Sequence, residues 1–189
     1  MSRTRSSLLE QIRDLDDAQG WEQFDAIYRP MIFRYARDRG LSTEQAEELT
    51  QDCMTALVER IQRFQRRASF RGWLRGLVDH KVADQLRKRP PELQGVTRDF
   101  SRPQEREKTP AEIWERQWNR AHLLRCLERV RAEVSEHTYR AFELYVIEEK
   151  PVAQISRLLG LTPNQVYVAK SRVMARIEER WLQSVEGVE

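Results

Sequence analysis

The sequence predicts an all-α protein: two small helical domains joined by a flexible linker, the second containing a helix-turn-helix. Three observations predict it. Apolar residues recur at three- and four-residue spacing along most of the chain, and no stretch alternates as a half-buried strand does. Three hydroxyl residues are each followed three positions later by Glu or Gln, the mark of a capped helix start. Between Arg89 and Thr109 the periodicity fails in PPELQGVTRDFSRPQEREK, which holds three prolines, one glycine and many charges. That is a linker composition.

In order, the periodicity predicts helices near 6–18, 21–38, 43–64, 70–88, 111–133, 136–148, 152–159 and 163–182. Gly40 suits the end of the second helix, and Ser42-Thr43-Glu44-Gln45 fits a capping box for the third. Leu49, Cys53, Leu57 and Ile61 form the core-facing side of that third helix. In the fourth, Phe70, Trp73, Leu74, Leu77, Val78 and Leu86 form the apolar stripe. Thr109-Pro110-Ala111-Glu112 and Thr162-Pro163-Asn164-Gln165 open the fifth and eighth, each with proline at the first helical position, where its missing N–H costs nothing.

The composition is that of a soluble protein with modest cores: 33% charged residues, 40% hydrophobic and a mean hydropathy of -0.75. The net charge of +3 is small, but its distribution is uneven. From Arg60 to Arg89 there are ten Arg and Lys against Asp79 and Asp84 alone. Cations in a last turn complement the helix dipole, which accounts for Arg87, Lys88 and Arg89. Arg63, Arg66, Arg67, Arg71 and Arg75 need another reason, and a surface that meets phosphate supplies one. The competing reading is a solvated helix face.

Cys53 and Cys126 are isolated, giving neither a disulfide framework nor a CxxC metal pair, and a reducing cytoplasm is the expected setting. The opening MSRTRSSLLEQI has basic residues without an apolar run behind them, and no segment approaches a membrane span. No membrane insertion is expected.

Residues 151–180, PVAQISRLLGLTPNQVYVAKSRVMARIEER, have the form of a DNA-reading helix-turn-helix. Val152, Ile155, Leu158 and Leu159 make a short amphipathic helix. Gly160 permits the turn, Leu161 fills its angle and Thr162 caps the next helix. Val166, Ala169, Val173 and Ile177 face inward there. Asn164, Gln165, Val168, Ser171 and Arg172 cluster outward: amides can read adenine, Arg172 guanine or phosphate, and Val168 a thymine methyl. A plain helical hairpin is the alternative.

Upstream stand WEQFDAIYRPMIFRYARDRG and STEQAEELTQDCMTALVERIQRF, followed by FRGWLRGLVDHKVADQLRKR. This series, a linker and a helix-turn-helix, in that order, resembles the bacterial sigma factors of the extracytoplasmic-function group, in the sigma-70 family. The resemblance covers roughly residues 6–182 and implies three parts. Residues 1–89 would form a region 2-like domain that binds the polymerase clamp and recognises and melts the downstream promoter element. Residues 90–110 would be the linker, and 111–189 a region 4-like domain that recognises the upstream element.

The resemblance also implies roles. Glu47, Glu48, Leu49, Gln51 and Asp52 stand where the family's polymerase-binding string stands, and Glu48, Gln51 and Asp52 are the expected contacts. Counting from Gly160 to Val166 places the upstream-element contacts on Tyr167, Val168, Ser171 and Arg172, beside Asn164 and Gln165. The loop Phe64-Gln65-Arg66-Arg67-Ala68-Ser69-Phe70 would capture a flipped base of the non-template strand. Gln65, Arg66, Arg67, Ser69, Arg71 and Arg75 are the expected downstream and melting residues, exposed bases being held by a cationic groove. Phe70 and Trp73 read as core supports rather than stacking platforms. The implied partners are core RNA polymerase and promoter DNA, and the family admits an anti-sigma protein.

An enzyme is disfavoured: His80, His122 and His137 are scattered, and there is no HExxH, GxSxG or Gly-rich phosphate loop. Asp79, His80 and Asp84 read as a solvated polar face, so neither metal nor cofactor is expected. The other alternative is a helix-turn-helix regulator that binds duplex DNA without polymerase. It leaves the basic first domain and the long tether without a purpose.

Overall fold

The computed structural model describes residues 8–64, 69–88 and 108–186, with side chains as far as Leu182. The described residues contain helices and no strand. They form two compact units that divide between Ala121 and His122.

The first unit holds α1 (Leu8–Gln11), α2 (Ala18–Asp38), α3 (Thr43–Arg60) with a 3-10 turn at Ile61–Arg63, and α4 (Phe70–Arg87). It also takes the first half of α5 (Pro110–Glu133). The helix expected over 6–18 is a single α-turn where described. Asp17 is the cause of the break: its carboxylate accepts from the Gly20 N–H at 2.8 Å and caps a new helix instead of continuing the old one. A side chain at Gly20 would meet Gln11 Cβ at 2.8 Å, so glycine lets the two segments close on each other. At the other end of α2, Gly40 takes φ 90°, and the Leu41 N–H reaches the Ala36 carbonyl while the Gly40 N–H reaches Arg37. This is a Schellman stop that turns the chain into α3.

The Ser42 capping box is present in full. Phe24, Tyr28, Met31, Ile32 and Tyr35 of α2 meet Leu49, Cys53, Leu57 and Ile61 of the α3 segment and Phe70, Leu74, Val78 and Val82 of α4. Phe70 is 1% exposed and has Phe24, Tyr28 and Phe64 around it edge-on, while Trp73 packs on Phe64 and Phe70. Both are core supports. Burial pushes the Cys53 thiol up to about 12, which leaves it protonated and inert at neutral pH.

The first half of α5 packs with the first unit. Ile113, Trp114, Trp118 and Ala121 are buried in the same core as α2 and α4. Trp114 lies edge-on to Tyr35 with centroids 5.2 Å apart, and Trp118 lies 5.7 Å from Tyr28. The predicted Thr109 capping box starts α5, with the Thr109 N–H donating to Glu112 at 2.7 Å. Residues 89–107, most of the expected linker, lie outside the described residues.

The second unit holds the rest of α5, α6 (Glu136–Phe142), α7 (Val152–Leu159) and α8 (Pro163–Glu186). One cluster joins Val130, Tyr139, Phe142 and Val173, with Leu127, Val134 and Ile177 against it. A second joins Leu144, Ile155 and Val166, with Val152, Leu159 and Leu161 against it. The helix expected over 136–148 is α-helical only to Phe142. It widens into a π turn at Glu143–Ile147, where the Glu148 N–H reaches the Glu143 carbonyl. Pro151 follows, disfavours α conformation at Lys150 and forces the chain to stop.

Candidate nucleic-acid and polymerase interfaces

In the second unit, α7 and α8 meet at Gly160, whose φ of 66° is left-handed and open to glycine at no steric cost. The Leu161 N–H closes onto the Ser156 carbonyl, and Thr162 and Gln165 complete the capping box. Val166, Ala169 and Val173 are buried as expected, and Ile177 is half-buried. Leu158, expected inside, is 59% exposed: Val152, Ile155 and Leu159 already fill the inner side of so short a helix.

Asn164, Gln165, Tyr167, Val168, Ser171 and Arg172 are all exposed, opposite that buried stripe. Gln165 is partly committed, since its Oε1 accepts from the Thr162 N–H at 2.7 Å. Tyr167 leans edge-on against Tyr145, and the Lys170 ammonium sits over the Tyr145 ring. Val168, 45% exposed, and Arg172 form the open centre of the face.

In the first unit, Glu48, Gln51 and Asp52 are exposed on α3, on the side away from Leu49, Cys53 and Leu57. They are not bare. Gln51 accepts from Arg29 Nη1 at 3.1 Å, and Asp52 lies 3.6 Å from Lys81 of α4. Beside Gln51 an open groove of about 660 Å³ runs between α2 and α3, lined by Trp21, Asp25, Arg29, Met54 and Val58 among others.

On α4, Ser69 accepts from the Gly72 N–H at 3.3 Å and so caps the helix. Arg71 is paired with Glu115 of α5 and lies 5.4 Å over the Trp118 ring. Arg75 reaches Asp79 at 3.3 Å. Asp79 also accepts from Arg39 at 3.1 Å and from the Tyr35 hydroxyl, and burial with that bond to Asp79 pushes the Tyr35 pKa up to about 12. Asp79 therefore faces inward, while His80 and Asp84 pair with each other on the outside. Among the described residues no cluster of His, Cys, Asp and Glu is placed to hold a metal. Gln65, Arg66 and Arg67 lie outside the described residues.

Residues 26–90 match the family model of sigma-70 region 2. The match lies within the first unit and covers about a third of the chain. Such a domain indicates a sigma factor of the sigma-70 family, a transcription initiation factor for promoter recognition by RNA polymerase and not an enzyme. Sigma factors bind core RNA polymerase and promoter DNA. None of the curated proteins matches the chain. No described helix is long and apolar enough to cross a membrane.

The first unit contains a polar layer that periodicity does not reveal. Arg34, Asp38 and Gln117 connect α2 to α5, and Arg116 reaches Asp38 at 2.8 Å. Glu115 and Trp118 cover Arg71 in the same way. The available signal was the Trp114–Trp118 spacing, which marks a buried face without naming the core that buries it.

Proposed function

We propose that the chain is a sigma factor of the extracytoplasmic-function type, which binds core RNA polymerase and directs it to specific promoters. The observation that carries the reading is the order of parts: a region 2 domain, a proline-containing segment, then a capped helix-turn-helix with an open polar face. On this reading Glu48, Gln51 and Asp52 meet the polymerase clamp. The 64–69 loop takes the downstream base, and the outward face of α8 reads the upstream element. The family admits an anti-sigma protein as a further partner, and the cytoplasm is the compartment where polymerase and DNA are met.

Two features support the division of labour. Acidic and amide groups on an exposed helix suit a basic, polar protein surface. Arg, amide and apolar groups side by side on one helix suit a major groove. The test is transcription in vitro with purified core polymerase and a genomic promoter library. Promoter-specific transcripts that depend on the chain are the expected result. Binding to duplex DNA with no retention of core polymerase would instead identify a regulator that acts without it.

A further inference from the structure

The candidate strand-holding arginines of α4 differ in how they are held. Arg75 is engaged within its own helix, one turn from Asp79. Arg71 is engaged from outside. The Glu115 carboxylate meets one terminal nitrogen, which has no solvent contact, and the Trp118 ring covers the guanidinium at 5.4 Å. An anion on one side and a π face on the other are what a guanidinium would otherwise seek in a phosphate and a base.

Glu115 is not needed to hold α5 in place. Its side chain is 52% exposed, and the anchoring comes from the buried Trp114, Gln117 and Trp118 against Tyr28, Arg34, Tyr35 and Asp38. A half-exposed carboxylate that adds little to docking has one clear electrostatic effect. It neutralises a cation at the start of the basic helix.

We infer that the first half of α5 is an autoinhibitory cover on α4, in which Glu115 and Trp118 occupy Arg71 and withhold it from the DNA backbone. The inference rests on the reading of α4 as the strand-holding helix. A phosphate can reach that terminal nitrogen of Arg71 only by displacing the Glu115 carboxylate. Strand binding and this contact therefore compete, and each weakens the other by the same factor.

The test is a double-mutant cycle in the full chain, Arg71→Ala and Glu115→Ala separately and together. Affinity for a fluorescein-labelled single-stranded DNA is followed by anisotropy from about 50 to about 200 mM salt. Glu115→Ala should tighten binding severalfold and steepen the log–log salt slope by about 0.7, the increment of one phosphate contact on a single strand. Arg71→Ala should cost severalfold more in the Glu115→Ala background than in the parent. A general effect of removing one negative charge would not depend on Arg71. Equal loss on Arg71→Ala in both backgrounds would overturn the cover and leave the strand-holding reading standing. No loss in either background would overturn the strand-holding role of Arg71, and the cover with it. Trp118→Leu, which keeps an apolar plug but removes the π face, should act in the same direction as Glu115→Ala.

Discussion

Gln117 donates from Nε2 to Asp38 Oδ2 at 2.6 Å, and Gln117 is 4% exposed. Its Oε1 accepts from Arg34 Nε at 3.1 Å, so one amide satisfies a cation and an anion on the same side of α2. A buried polar group left without its partner costs its desolvation, typically more than the bond gains. Gln117→Leu should therefore lower stability by about 1–3 kcal/mol. Denaturant unfolding followed by tryptophan fluorescence measures this, since Trp114 and Trp118 flank the site. An unchanged midpoint would show that the amide adds nothing to α5 docking.

Tyr35 sets an alkaline limit on the first unit. Its folded pKa, about 12, lies above the ordinary 10 because burial and the bond to Asp79 disfavour the phenolate. The folded state thus keeps a proton that the unfolded chain gives up. This contribution to stability is complete below about pH 10 and is lost as pH rises from there through about 12. Ultraviolet difference titration should show one tyrosine ionising last, and Tyr35→Phe should remove that component.

Asp52 should matter to polymerase and hardly at all to folding. Its 3.6 Å contact with Lys81 is exposed, and such pairs are worth about 0–1 kcal/mol. Asp52→Asn avoids setting a new cation against Lys81. It should reduce core-polymerase retention while shifting stability by no more than about 0.5 kcal/mol. A large drop in melting temperature would assign Asp52 to the fold.

Arg172 is exposed on α8 opposite Val166 and Val173. If it reads a base edge, Arg172→Ala should weaken upstream-element binding by about 1–3 kcal/mol and relax preference at one position. Uniform loss over all sequences would mark a phosphate contact. No loss on any DNA would refute the register counted from Gly160.

Arg66 and Arg67 belong to the loop proposed to choose the flipped base. Arg66→Ala with Arg67→Ala should impair opening of a duplex promoter more than binding to a template with a pre-melted bubble. Permanganate footprinting of unpaired thymines reads the difference. Duplex opening that matches the parent across a range of salt would reduce these arginines to a solvated face.

The sequence by itself determined most of the helices and their starts. Ser42, Thr109 and Thr162 cap helices through bonds to residues three positions away, and such local bonds are written in adjacent letters. The turn at Gly160 and the burial of Val166, Ala169 and Val173 were legible for the same reason: one glycine sets the angle and the helical period sets the face. Tertiary structure decided what those helices touch. The spacing of Trp114 and Trp118 announces a buried stripe, but only packing assigns it to Tyr28 and Tyr35 rather than to the second unit. The inner side of α7 was full without Leu158, which period alone could not say. The partners of charges were the least legible. Arg71 to Glu115, Asp52 to Lys81 and Asp79 to Arg39 join residues far apart in the chain. Coulomb attraction depends on distance in space and on the dielectric around it, and neither exists until the helices have packed.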